Sequence, residues 1–226
     1  MSDAGFILAN ADRLITVASR CVFSFGSGDG LNDLLLFPDD LHGEWRQPIA
    51  VLHRDALMMA ALRVSILLDR DDQMVSFQSV HRLLKDPNVV TGLLQTLEHR
   101  HGSDILPPSR TELIEEFRQT YQKIDWKVHG RLVHLRNLGI AHLTPEDMKK
   151  SVTMSELRTL VEIVSRLTMT LQHLCQSQTA FNAHMLEEYR DLAKKVIGRS
   201  VRRPRRIESP PAPTPSGSPP HQAPTD

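Results

Sequence analysis

Apolar residues recur at helical spacing along most of this chain, and that periodicity limits what it can fold into. In 3–24, for example, Phe6, Ile7, Ala11, Leu14 and Val17 fall on one face of a helix. Similar periodicity continues, with interruptions, to Val196. The pattern predicts an all-α fold, an up-and-down bundle of about five to seven helices.

Turn residues divide the middle of the chain into separate helices. Because a proline disfavours helix at the residue before it, Asp86–Pro87 is expected to separate two short helices, the second closed by Gly102. One long helix is expected to begin near Ser109 or Thr111 and to run towards Leu143. Gly130 and Gly139 weaken it and are expected to mark a bend or its end.

The last helices also carry start signals. Thr153 and Glu156 form a capping-box pattern, which predicts a helix from there to about Cys175. Thr144 followed by Pro145 is a further start signal. Helical periodicity resumes to Val196, and Gly198 is expected to end that helix.

Two segments near the amino terminus are interpreted from their composition. Residues 26–45, GSGDGLNDLLLFPDDLHGEW, are rich in turn residues and predict a connector. The following segment, 47–72, reads as a strong helix with Pro48 near its first turn. Its apolar positions cover most of its surface, so we expect this helix to be central and buried.

The composition changes at Arg199. Residues 199–226 have many prolines and almost no apolar side chains, which predicts a disordered tail after a single helical domain over 1–198. The basic run at 194–206, KKVIGRSVRRPRR, has two interpretations that the sequence leaves open. It captures RNA electrostatically, or it is a linker without a specific role.

Composition excludes several functional classes. Lys plus Arg and Asp plus Glu are equal at 27 each, so any basic surface must be local. Aromatics are only 5%, which disfavours RNA readers that stack bases on an aromatic sheet. Cys21 and Cys175 are far apart, and no motif indicates a metal or a cofactor. Without a basic leader or a long apolar run, the chain is expected to be cytoplasmic and not membrane-bound.

The stretch HLRNLGIAHL, residues 134–143, contains the candidate catalytic residues Arg136, Asn137 and His142. Histidine exchanges protons near neutral pH, arginine binds phosphate oxygens, and asparagine can orient either group. These groups suffice to cleave RNA without a metal. On one straight helix, Arg136 and His142 would lie about 120° apart. Either the chain turns near Gly139, or a second subunit completes the site.

The segment LRNLGIAH, late in an all-α chain and followed by another long amphipathic helix, resembles the signature of the HEPN superfamily. That signature is an arginine, a polar neighbour that is often asparagine, a short spacer and a histidine. The layout over 46–178 is also similar to the abortive-infection U-type branch of the superfamily.

This resemblance implies a metal-independent endoribonuclease that acts on RNA in phage defence or as a toxin with an antitoxin partner. It also implies a homodimer whose two copies compose the active site. Arg136 takes the position of the motif arginine, Asn137 that of its polar neighbour and His142 that of the motif histidine. The apolar spacer Leu138–Gly139 favours the alternative, a non-catalytic helical protein for dimerisation or partner binding.

Overall fold

The computed structural model describes residues 3–36, 43–71, 73–102, 108–139 and 152–201 of the chain. Within these ranges it is entirely helical, with eight helices and no strand, so the all-α prediction is confirmed. The helices are α1 (Asp3–Leu36), α2 (Gly43–Leu67), α3 (Phe77–Leu84), α4 (Pro87–His101), α5 (Arg110–Gln122), α6 (Trp126–Gly139), α7 (Met154–Cys175) and α8 (Met185–Val201).

Capping side chains begin the helices where the sequence predicts them. Asp86 accepts a hydrogen bond from the backbone N–H of Asn88 at the start of α4. Ser109 opens α5 and Thr153 opens α7, each in a capping box with the glutamate three residues later. Such caps satisfy backbone N–H groups that have no partner within the helix. These three boundaries are therefore fixed locally, and the predictions for them are confirmed.

The core is organised around α1. This helix packs against α2, α3, α4, α7 and α8, and its buried face includes Ile7, Leu14, Ile15, Ala18 and Phe25. Apolar side chains from α2 through α7 complete one continuous cluster with it. The prediction that the helix over 47–72 is the central one is wrong, because α1 occupies that place.

The glycine-rich segment after Phe25 is part of α1, so the predicted connector there is wrong. Its glycines allow neighbouring helices to approach closely. A Cβ atom added at Gly26 or Gly30 would lie 2.7 Å or 2.4 Å from backbone carbonyl oxygens of α8, and one at Gly28 would lie 2.8 Å from Leu57 of α2. Close helix packing therefore offsets the helix-forming cost of glycine, about 1 kcal/mol per residue.

The predicted long helix is two helices, α5 and α6. The break lies at Lys123–Asp125 and not at Gly130, which is helical and exposed. The Asp125 carboxylate accepts hydrogen bonds from the backbone N–H groups of Lys127 and Val128. This cap starts a new helix, which packs against α2.

Helix α2 buries only one side. Four large apolar residues at intervals of seven, Trp45, Leu52, Met59 and Ile66, are 41%, 52%, 40% and 43% exposed. They line one face of the helix along its whole length, and we call this face the α2 stripe. Seven residues are close to two helical turns, so these side chains recur on nearly the same side of α2.

At the carboxyl-terminal end, α8 runs to Val201, past the stop predicted at Gly198. Residues 202–226, most of the predicted disordered tail, lie outside the described residues, as does the predicted start at Thr144–Pro145.

Candidate functional site

Arg136 is the candidate catalytic residue whose side chain the structure describes. It lies on α6, and its Nη1 donates a hydrogen bond of 3.1 Å to Oδ2 of Asp69, which follows α2. Both side chains are about three-quarters buried, at 26% and 25% exposed. The pair joins residues 67 positions apart in sequence and fixes the direction of the guanidinium.

Asp69 is itself held in place. Its Oδ1 accepts a hydrogen bond of 3.0 Å from the backbone N–H of Asp71, and its carbonyl oxygen accepts one from the Ser76 hydroxyl. Burial disfavours the ionised carboxylate, but the hydrogen bonds from Asp71 and Arg136 outweigh burial and lower the pKa of Asp69. Asp69 is therefore ionised near neutral pH and positions Arg136.

The other two candidate residues cannot be placed beside Arg136. Asn137 follows on α6, but its side chain lies outside the described part of the chain, as does His142 as a whole. Convergence of Arg136, Asn137 and His142 therefore stays a prediction. His134, two residues before Arg136 on α6, is exposed.

His129 is a member of the site that sequence reasoning missed. It is only 5% exposed, on the side of α6 that faces α2. Its environment includes the backbone of Ser65 together with Asp69, Arg70 and Arg136. Burial is the largest effect on this imidazole and lowers its pKa.

A row of rings, most of them buried, continues from His129. The Trp126 indole lies edge-on to His129 with ring centroids 5.3 Å apart, and its centroid lies 5.5 Å from that of Tyr121. Tyr121 in turn stacks on His81 at 3.9 Å, and the guanidinium of Arg70 lies 5.1 Å over the Trp126 ring. A continuous row of rings therefore leads away from the Arg136–Asp69 pair.

No family model, curated protein or solved structure matches this chain. The functional assignment therefore rests on the motif, the fold and the geometry of the site.

Other candidate features contribute little to this site. Arg54 and Asp55 form an exposed ion pair, with Nε and Oδ1 3.9 Å apart. Such a pair contributes little to stability. Over the described ranges, no group of three histidine, cysteine or acidic residues is arranged to hold a metal ion. In the same ranges, no helix combines the length and apolar character needed to cross a bilayer.

The buried histidines predict how stability depends on pH. Burial, with help from Lys85 and Arg118, lowers the pKa of His81 to about 4, whereas an unfolded histidine titrates near 6.5. As pH falls from 7 to 5, the unfolded chain binds protons that the folded chain does not, so the free energy of unfolding decreases. We expect a loss of about 1–3 kcal/mol.

Urea denaturation at pH 7, 6 and 5 measures this loss. Replacing His81 with phenylalanine keeps a ring against Tyr121 and should flatten the pH dependence, whereas replacing the exposed His134 with glutamine should leave it unchanged. An equal decrease in the free energy of unfolding between pH 7 and pH 5 in the H81F variant and the wild type would show that His81 is not the titrating group.

Proposed function

We propose that the protein is a metal-independent endoribonuclease of the HEPN type, acting on cellular RNA in the cytoplasm in phage defence or as a toxin. One observation carries this proposal: Asp69 holds Arg136 in a fixed direction at the start of the RNLGIAH motif. A guanidinium positioned in advance can stabilise charge that develops on a scissile phosphate without first reorganising.

The remaining steps are assigned to the other motif residues. His142 takes the proton from the 2′-hydroxyl of the RNA or delivers one to the leaving 5′-oxygen. Asn137 orients the phosphate or the imidazole. Arg70, the residue after Asp69, adds positive charge over the Trp126 ring, which favours an RNA backbone at this surface.

Cleavage of RNA by the purified full-length protein, with a chelator present, tests this proposal. We expect replacement of His142 by alanine to slow cleavage about 100-fold, the lower range for loss of a general acid or base. Replacement of the exposed His134 by alanine is the matched control and should leave the rate within about twofold of wild type. Equal cleavage by wild type and the H142A variant would remove His142 from the mechanism.

We further propose that the protein acts as a homodimer that pairs along the α2 stripe. Burial of exposed apolar side chains drives association, and a second copy supplies an identical stripe. Ile66 lies three residues before Asp69, which binds Arg136. Pairing of two copies at this end of α2 would therefore bring their two Arg136 side chains near one cleft.

Light scattering coupled to size-exclusion chromatography tests the dimer. The L52E variant places a charge in the middle of the stripe and should shift the protein to a monomer. The L192E variant changes an equally exposed leucine, 51% against 52%, on α8 and should leave the mass unchanged. An L52E protein with the wild-type mass would exclude this interface.

The exposed α2 stripe also favours a second candidate, a non-catalytic helical protein that dimerises or binds a partner such as an antitoxin. Under this alternative, cells that express the H142A variant have the same growth and RNA levels as cells that express the wild type, whereas the L52E variant loses partner binding. Growth inhibition that depends on His142 would exclude the alternative.

A further inference from the structure

A cavity of about 360 Å³ opens beside the row of rings described above. Its walls come from the segment after α2, from α3 and the residue after it, from α5, and from the start of α6. The lining side chains include Arg70, Gln78, His81, Lys85, Tyr121 and Trp126. Aromatic rings form one part of this wall and two cationic side chains another, and no carboxylate of the described residues lines it.

The cationic side chains are accessible to a ligand. Arg70 and Lys85 are both exposed, and they come from the segment after α2 and the residue after α3, respectively. Arg118 also lies close to His81, but it donates to the carbonyl oxygen of Leu84 and its charge is paired with the Glu115 carboxylate at 3.5 Å. The two positive charges that line the cavity favour an anion, and guanidinium and ammonium groups both bind phosphate.

The aromatic wall suits a planar ring. Trp126 is half-buried, and the cation that lies over its indole belongs to the exposed Arg70. Because that side chain is exposed, it can turn aside and leave the indole to another flat group. A base stacked on an aromatic side chain gains about 1–3 kcal/mol.

His81 supplies a buried polar atom to the same wall. The side chain is only 6% exposed, and its Nε2 has no hydrogen-bond partner within the described residues. A buried polar atom without a partner costs about 1–3 kcal/mol. A hydrogen-bonding group of a ligand, or a water that it orders, would relieve that cost.

We propose that this cavity binds a nucleotide, with its base against Trp126 and its phosphate between Arg70 and Lys85. The inference rests on the proposed function for its choice of ligand, since one nucleotide of an RNA chain near Arg136 has this chemistry. A free mononucleotide has the same chemistry, so the ligand class is a nucleoside monophosphate, either alone or within a single strand.

Tryptophan fluorescence tests the proposal directly. The chain has two tryptophans, so the W45F variant leaves Trp126 as the only one. Titration of the full-length W45F protein with adenosine 5′-monophosphate should change the Trp126 emission, whereas inorganic phosphate at the same concentration should leave it unchanged. An emission that does not respond to the nucleotide would overturn the proposal.

Charge variants in the same background locate the phosphate. Replacing Lys85 or Arg70 with alanine should weaken nucleotide binding at least fivefold. Replacing Lys127, an exposed lysine of α6 outside the cavity, should change the affinity less than twofold. Equal affinity in the K85A, R70A and K127A proteins would place the ligand elsewhere and overturn the proposal.

An oligoadenylate of ten nucleotides distinguishes the two sources of the ligand, an RNA strand and a free nucleotide. Binding at least tenfold tighter than the mononucleotide, with the same loss in K85A, supports an RNA strand in the cavity, whereas equal affinities support a free nucleotide. RNA cleavage by the wild type, with the H142A variant as its negative control, separates this proposal from the proposed function. Nucleotide binding without RNA cleavage would support the nucleotide site and refute the nuclease, whereas RNA cleavage without nucleotide binding would support the nuclease and refute the nucleotide site.

Discussion

Replacing Gly30 with leucine is expected to lower the free energy of unfolding by about 3 kcal/mol or more, the upper range for overpacking. Gly30 lies inside α1, where even a Cβ would meet the Arg190 carbonyl oxygen at 2.4 Å and the Ala193 Cβ at 3.0 Å. A carbonyl of another helix cannot turn aside as a flexible side chain does. Helix α8 must therefore move away from α1, and its contacts are lost.

Gly130 provides the matched control for this substitution. It is also helical, in α6, and nothing lies within 4 Å of a Cβ added there. The same change to leucine should raise stability by about 0.5–1 kcal/mol, because leucine favours helix over glycine. Urea denaturation measures both effects, and hydrogen exchange of the α8 amides shows whether that helix has separated. A G30L protein as stable as the wild type, with α8 still protected, would contradict the packing.

The fold class was predictable because its signals are local. Apolar periodicity and capping side chains act within a few residues, and Asp86, Ser109 and Thr153 begin their helices where those signals predict. The glycine-rich part of α1 was not predictable in this way. Its helical state depends on α8, which lies more than 150 residues later in the chain.

The place of α2 was mispredicted for a related reason. A helix with apolar residues over most of its surface is expected in a core, but periodicity does not say what covers each side. In the structure α1 takes the centre, and the α2 stripe is left exposed. The apolar surface that predicted burial of α2 in the core is therefore exposed, and it supports an interface instead.

Only part of the candidate site followed from the sequence. Arg136 was identified by its motif, whereas no motif pointed to Asp69. The contact between them joins α6 to the end of α2 and leaves no local pattern. His129 was missed for the same reason, since its burial depends on packing between these elements.

The second large effect is expected at Asp29, whose side chain on α1 is only 8% exposed. Its Oδ2 lies 2.6 Å from Nη2 of Arg158 on α7 and 3.1 Å from Nε of Arg190 on α8. One carboxylate therefore joins three helices. Arg190 also donates to Asp33, one turn further along α1, and the guanidinium of Arg158 lies 5.3 Å over the ring of Phe25.

Replacing Asp29 with alanine should lower the free energy of unfolding by about 2–4 kcal/mol, because it leaves two cations partly buried without their shared partner. This expected loss is smaller than the loss on removing one partner of a fully buried ion pair, because Arg158 and Arg190 keep about 30% of their side chains exposed. The D55A variant removes a carboxylate that is 64% exposed and 3.9 Å from Arg54, and it should change stability by less than about 0.5 kcal/mol.

Urea denaturation of D29A and D55A at low and at high salt separates burial from surface charge. Salt screens exposed charges far more than buried ones, so the deficit of D29A should persist in 1 M salt, where the Debye length is about 3 Å. Replacing Asp29 with asparagine keeps a hydrogen-bond acceptor for one arginine and should recover part of the loss. A D29A deficit that disappears in high salt would mean that Asp29 acts as a surface charge and does not tie α7 and α8 to α1.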